Sequence, residues 1–166
     1  MRSSPSILLV LFLSACGTVE HSVRVEDPQA FSSATTVAVG EVTNKTGETF
    51  DIEAVLRDAI LDALKKQVLL AGLGDAEVVT MDVNIIEYRK GDAFKRWLWP
   101  GYGSTVLVVE ATLLDREGNV DATAQANRSV DAGGGYTIGA WQSIFGNVAA
   151  DLVTDLRTNI KKAKLQ

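Results

Sequence analysis

The chain is poor in the residues from which reactive centres are built. Its 166 residues include one cysteine and one histidine. A lone cysteine excludes an internal disulfide, and so few Cys and His side chains exclude the spaced ligand clusters of zinc sites. No Gly-x-Ser-x-Gly motif is present, and no serine has a histidine placed to activate it. Gly101-x-Gly103 lacks the third glycine and helix start of a dinucleotide loop, and Gly133-Gly134-Gly135 lacks the lysine of a phosphate loop. These absences leave no catalytic residues, no metal site and no bound cofactor to nominate, so the expectation is a non-enzymatic protein. Positive charge is also scarce: 16 Lys and Arg face 21 Asp and Glu, a net −5. That balance gives no basic face for phosphates, which excludes a nucleic-acid binder and makes adhesion to anionic lipid by charge alone weak. The longest apolar run, Ile7 to Leu13, falls far short of the roughly 20 residues that a bilayer-spanning helix needs.

That run has a different use. Arg2 precedes it, and Leu13-Ser14-Ala15-Cys16 closes it. A short basic start, a short apolar core and small residues before the cut are the anatomy of an export signal. The stretch resembles the lipobox of bacterial lipoproteins. The resemblance implies that residues 1–15 are a lipoprotein signal peptide and that Cys16 becomes the first residue, carrying a covalent lipid (palmitate among its acyl chains). One chain anchors only marginally, at about 0.8 kcal/mol per buried methylene, whereas several together hold firmly. Residue 17 is Gly rather than the Asp of the inner-membrane retention rule, which implies an outer-membrane protein facing the periplasm. Residues 16–34 read as the lipidated cysteine and a flexible tether, with polar residues among isolated apolar ones. The lone His21 sits in this tether, without the orienting partners a catalytic base requires.

Residues 35–166 read as a single periplasmic α/β domain. Thr36 to Val42 forms the first strand, and Thr43-Asn44-Lys45-Thr46-Gly47 turns the chain. Asp51 suits a helix N-cap, with Phe50 placed to staple onto Val55. Ile52, Val55, Leu56, Ala59, Ile60, Ala63 and Leu64 recur at helical spacing, and Gly72 and Gly74 are expected to stop the helix. Three runs then alternate with period two: Val78 to Tyr88, Thr105 to Asp115 and Val120 to Ser129. Alternation of this kind means one covered face and one wet face. Asp115-Arg116-Glu117-Gly118-Asn119 joins the last two as a hairpin. A second helix, Ile138 to Lys164, carries the stripe Trp141, Ile144, Phe145, Val148, Ala149, Leu152, Val153, Leu156 and Ile160. Gly139, Ser143, Gly146 and Ala150 make a line of small residues along it, expected to seat against the alanine-rich last strand, with a dimer contact as the alternative use. The order β-α-β-β-β-α predicts a two-layer α/β sandwich, a four-stranded mixed sheet with two helices on one face. A right-handed crossover makes its first two strands parallel.

The segment 89–104 stands apart. It is long for a connection in a compact domain, and such loops are often functional. It concentrates Phe94, Lys95, Arg96, Trp97, Trp99 and Tyr102, the residue types enriched at binding hot spots. The bland alternative is that Trp97 and Trp99 fold back to cap an open end of the sandwich. Otherwise the loop docks an envelope protein partner, contacts the membrane, or stacks on a small ligand or cell-wall glycan. The lipobox, the strand before Thr43 to Gly47, the amphipathic helix, Arg96 with Gly101-x-Gly103, and Asp115 through Gly118 together resemble a family of bacterial lipoproteins, domain-of-unknown-function family 4410. The resemblance covers most of residues 35–160. It brings no catalytic residues. The lipobox and the aromatic loop together give the expectation of a membrane-leashed docking protein.

Overall fold

The computed structural model describes residues 18–27, 31, 35–72, 77–99, 102–131 and 139–163. Eight elements follow in order: β1 (Val19–Val25), β2 (Thr36–Asn44), α1 (Ile52–Lys66), β3 (Val78–Arg89), α2 (Ala93–Leu98), β4 (Thr105–Leu114), β5 (Val120–Val130) and α3 (Ala140–Ala163). The five strands form a single sheet ordered β1-β5-β4-β3-β2. Only β2 and β3 run parallel, joined through α1; every other neighbouring pair is antiparallel. The α+β class, the mixed sheet and the parallel first crossover agree with the sequence reading, but the sheet has five strands and the described helices number three.

The extra strand is β1, which the sequence reading assigned to the tether. Its residues pair with β5 from Val19↔Arg128 to Val25↔Ala122. Val23 and Val25 pack against the core from this edge. His21 contacts the Asp155 carboxylate on α3, tying strand to helix. His21 therefore belongs to the folded domain and has a partner there.

The alternation along each strand decides the core. Val79, Met81, Val83 and Ile85 of β3, Leu107, Val109, Ala111 and Leu113 of β4, and Ala122, Ala124 and Ala126 of β5 are all buried. A register shift between Ile85 and Glu87 reverses the phase, so Tyr88 turns inward and Ile86 outward. Tyr88 then lies against Phe145, with ring centroids 5.1 Å apart, and donates to the Trp141 carbonyl at 3.3 Å. Burial raises the Tyr88 pKa, helped by nearby Glu48. A second shift, in β2 between Val39 and Val42, is held from both sides. The Asp82 carboxylate accepts from Glu41 N at 2.8 Å, and Arg57 of α1 donates to the Gly40 carbonyl at 2.5 Å. A Cβ at Gly40 would stand 2.0 Å from the Asp82 carboxylate oxygen, so the bulge needs glycine.

Helix α1 buries Ile52, Leu56, Ile60, Ala63 and Leu64. Asp51 caps it by accepting from Ala54 N at 3.0 Å. Its end is earlier than the glycines at 72 and 74 indicate. Val68 takes φ +56°, and Leu69 N reaches back to the Leu64 carbonyl while Val68 N reaches Lys65. These are the two bonds of a Schellman ending, here made by a β-branched residue instead of glycine. Phe50 meets Trp141 edge-on at 6.1 Å.

Helix α3 buries Ile144, Phe145, Val148, Ala149, Leu152, Val153 and Leu156 over the sheet. Each large apolar side chain so buried contributes roughly 1.5–3 kcal/mol. Arg128 of β5 pairs with Asp151 at 2.7 Å, and Arg157 reaches Gln67 at the end of α1. The small-residue line is not the seat: Ser143, Gly146 and Ala150 face solvent, and nothing lies within 4 Å of a Cβ built on Gly146. No described helix is long and apolar enough to cross a membrane.

Candidate functional site

The register brings one set of strand ends together. Val19 faces Arg128, Thr105 faces Val130, Leu107 faces Arg128 and Arg89 faces Val106. The start of β1, the end of β3, the start of β4 and the end of β5 thus share one end of the sheet. From this end projects the segment between β3 and β4, which the sequence reading left without structure. Inside it, α2 makes one and a half turns. Asp92 caps them, its carboxylate accepting from Phe94 N at 2.9 Å and Lys95 N at 3.1 Å.

Helix α2 is inside out. Its buried residue is Arg96, 3% exposed, while Phe94 and Trp97 are each 64% exposed, Trp99 59% and Tyr102 70%. Leu98 is exposed as well. The Arg96 guanidinium donates to the Gly103 carbonyl at 2.7 Å and to Thr105 Oγ1 at 3.0 Å. Thr105, fully buried, donates a hydrogen bond from its own hydroxyl to the Lys90 carbonyl at 2.8 Å. Asp92 N donates to the Gly103 carbonyl at 2.8 Å and closes the neck of the loop. That neck is too narrow for side chains. Gly91 (φ +69°) and Gly103 (φ +75°) face each other, and a Cβ on Gly91 would lie 2.6 Å from the Gly103 carbonyl. Charge-assisted bonds from a buried arginine are strong and directional. They fill the loop's interior with polar contacts and leave its apolar side chains outside.

Two expectations change as a result. Trp97 and Trp99 do not cap the sandwich, because the space beneath the loop is taken by Arg96. Arg96 itself, expected among the contact residues, is buried and positions the others instead. Phe94, Lys95, Trp97, Trp99 and Tyr102 remain at the surface. Phe94 and Trp97 lie 6.0 Å apart between ring centroids. The same end carries Phe50 against Trp141, with the Lys90 ammonium 4.6 Å over the Trp141 ring. Sequence reasoning missed this second aromatic group, since Phe50 and Trp141 lie 91 positions apart and were each assigned to a helix face.

The opposite end is acidic. Glu26, Asp27, Glu77, Asp115, Glu117 and Asp121 gather there, with Arg116 among them, around an open groove of about 390 Å³. Asp121 is 5% exposed, and its Oδ2 accepts no hydrogen bond among the described residues. Burial, then Asp115, Asp27 and Glu117, push its carboxyl above the ordinary carboxylate range. Asp115 shifts the other way, because the Asn119 side chain and the hairpin amides bond its ionised form. No group of three or more His, Cys, Asp or Glu among the described residues is arranged to hold a metal ion. The sheet face away from the helices displays Thr80, Asp82, Asn84, Glu110, Thr112, Thr123 and Gln125. Ser22 and Arg24 extend it along β1 over a shallow hollow of about 430 Å³. His21 and Asp155 have no nucleophile beside them among the described contacts. Cys16 and the leader lie outside the described residues, as do Gly101 and Gly133 to Gly135.

The fold has solved counterparts. It is similar to the PelC dodecamer from Paraburkholderia phytofirmans, at 19% identity and a TM-score of 0.57, over 85% of this chain and 97% of that one. A point variant of the same dodecamer gives 20% identity and a TM-score of 0.55 over the same shares. A candidate lipoprotein from Caulobacter crescentus is 19% identical over 80% of this chain and 89% of that one, with a TM-score of 0.44. At such identities the likeness is one of fold, and function has to be argued from the site. No curated protein matches the chain. A family model does match, across residues 19–134, from β1 through the neck of the aromatic loop to the end of β5, and the chain belongs to that family, described as Domain of unknown function (DUF4410).

Proposed function

We propose that this protein is a non-enzymatic lipoprotein of the bacterial envelope, anchored by acyl chains on Cys16 and docking through the aromatic loop of residues 89–104. The lipobox at residues 13–16 supports the anchor, and Gly17 supports delivery to the outer membrane. The observation that carries the docking role is the inverted burial of α2. A structural helix hides its apolar side chains and wets its charges. Here five apolar side chains are held in water by hydrogen bonds made beneath them, and contiguous exposed apolar surface of this kind marks a contact site. The single cysteine and single histidine support the non-enzymatic part of the reading.

The experiment is a double substitution, Trp97→Ala with Trp99→Ala, in the full chain. Neither ring fills the core, so the melting temperature is expected to stay within about 2 °C, as for a surface change of under 0.5 kcal/mol. Docking, read as retention on isolated envelopes after the lipid chains are released enzymatically, is expected to fall several-fold. Unchanged retention would remove the loop from the role. The exposed indoles also suit stacking on a sugar ring, and tryptophan quenching on addition of cell-wall fragments tests that second reading. The likeness to a dodecamer supports measuring the mass of the detergent-extracted protein by sedimentation, where a single-chain mass would count against assembly.

A further inference from the structure

The partner of the aromatic loop follows from where β1 begins. We propose that the loop rests in the headgroup layer of the bilayer that anchors the protein, so that the sheet stands on the membrane with its acidic end pointing away. The proposal rests on acylation at Cys16 and names what the docking surface meets.

Three observations converge. The first is the shortness of the leash. Thr18 is fastened to β5 at both its backbone groups, its N donating to Ser129 Oγ at 3.0 Å and its carbonyl accepting from Ser129 N at 2.9 Å. Only Gly17 separates it from Cys16. Two peptide units span at most about 7 Å, so the acyl chains leave the molecule within that distance of Thr18. A tether of eighteen residues would let the domain tumble; a single intervening residue does not.

The second is the end at which the leash emerges. Thr18 and Val19 lie beside Arg128 and Ser129, and β4 enters the sheet directly alongside, with Thr105 on Val130 and Leu107 on Arg128. Neighbouring strands are about 4.8 Å apart, which places the root of the aromatic loop roughly 10 Å from Thr18. The acyl chains and the aromatic loop therefore meet the same plane.

The third is the chemistry of the two ends. Tryptophan and tyrosine favour the boundary between headgroup and acyl chain. Trp97, Trp99 and Tyr102 are exposed at the leashed end beside Phe94 and Leu98, with Lys45, Lys90 and Lys95 around them. Of the acidic groups there, Asp92 caps α2, Asp51 caps α1, Glu87 pairs with Arg89 at 3.0 Å and Asp131 accepts from Ser129 Oγ at 2.6 Å, while Glu20 and Glu48 face solvent. At the far end Glu26, Asp27, Glu77 and Glu117 are exposed, and an anionic surface repels them.

The test uses the full chain, expressed so that it is acylated and then reconstituted in vesicles of phosphatidylethanolamine and phosphatidylglycerol. A Trp141→Phe background leaves Trp97 and Trp99 as the indoles. Lipids carrying a quencher near the headgroup are expected to reduce their emission, since interfacial indoles sit at headgroup depth. In a second protein, Trp97→Phe, Trp99→Phe and Trp141→Phe are combined with Val120→Trp. Position 120 is exposed at the acidic end, and its indole is expected to remain unquenched. Thermal melts of both proteins confirm that they fold. Equal quenching at both ends, or none at Trp97 and Trp99, overturns the orientation. A protein co-purifying with the acylated chain and shielding Trp97 and Trp99 from the lipid quencher also overturns it, in favour of a protein partner. Palmitate labelling of the same preparation separates the two readings. No label removes the anchor itself, whereas label without quenching leaves the anchor and removes only the orientation.

Discussion

The two ends of the sheet solve the problem of unpaired chain ends in opposite ways. At the leashed end a charge is drawn inside, and Arg96 bonds the neck of the loop while its apolar neighbours are left in water. At the acidic end a carboxyl is drawn inside, and among the described residues Asp121 finds no donor for its Oδ2. A buried ion held by directional bonds orders its surroundings, whereas a buried acid crowded by other acids burdens the fold. The difference teaches that burial of a charge is not itself a sign of stability or of function. What matters is which groups surround it, and which side chains its bonding pushes outward.

The comparison breaks most easily at Arg96. Arg96→Ala removes the donor from the Gly103 carbonyl and Thr105 Oγ1 and empties the interior of the loop, at an expected cost of about 3 kcal/mol. The urea midpoint reads it, together with faster proteolytic nicking inside residues 89–104. An unchanged midpoint would mean that the loop is ordered by something other than its arginine.

A matched pair of glycine substitutions sharpens the contrast. Gly103→Ala meets both a positive φ and an Asp92 carbonyl 2.7 Å from the new methyl group, with an expected loss of about 2 kcal/mol. Gly118→Ala, in the hairpin of the acidic end, meets a positive φ and open space, so about 1 kcal/mol is expected. Thermal melts of the two variants in parallel check the ranking. Equal losses would show that the neck is looser than its contacts indicate.

The smallest expected effect is a gain. Asp121 has a carboxyl pKa raised by burial and by neighbouring acids. A raised folded-state value contributes stability that is full below the unfolded carboxylate range and lost as pH rises through the raised value. Above that raised value the ionised group is therefore a burden. Asp121→Asn is expected to raise the melting temperature at pH 7, and the advantage is expected to vanish in acid. Asp115, with its lowered value, runs the other way, and its contribution is lost as pH falls. A melting temperature for Asp121→Asn that matches the parent at every pH would show that water reaches the carboxylate.

Much of the fold was legible because burial writes itself into period. The alternation in β3, β4 and β5 and the helical stripe of α3 located those elements, and the parallel crossover through α1 followed from chirality. The strand β1 carried a signal too, in the spacing of Val19, Val23 and Val25. At a sheet edge only two of those valines meet the core, and a polar His21 fills the intervening inward position, so the pattern resembled a linker. Val68 was hidden for a different reason. A helix stop made by a β-branched residue at φ +56° has no signature in composition, and the glycines that follow it drew attention away. In the loop of residues 89–104 the composition announced a contact surface but not its architecture. Which of Arg96, Trp97 and Trp99 lies inside depends on hydrogen bonds to Gly103 and Thr105, and those partners become neighbours only when the neck closes.

The pairing of β1 with β5 has a mechanical consequence. The strand enters the sheet at Thr18 and runs straight along its edge for the seven register pairs that end at Val25↔Ala122. Its ladder bonds lie across the strand, perpendicular to its length. A pull on the chain at Thr18 directed along that axis loads these bonds together in shear, so they share the force instead of parting one after another like a zip. The same strand peels readily only when lifted sideways, and the contact of His21 with Asp155 on α3 resists that motion near its loaded end.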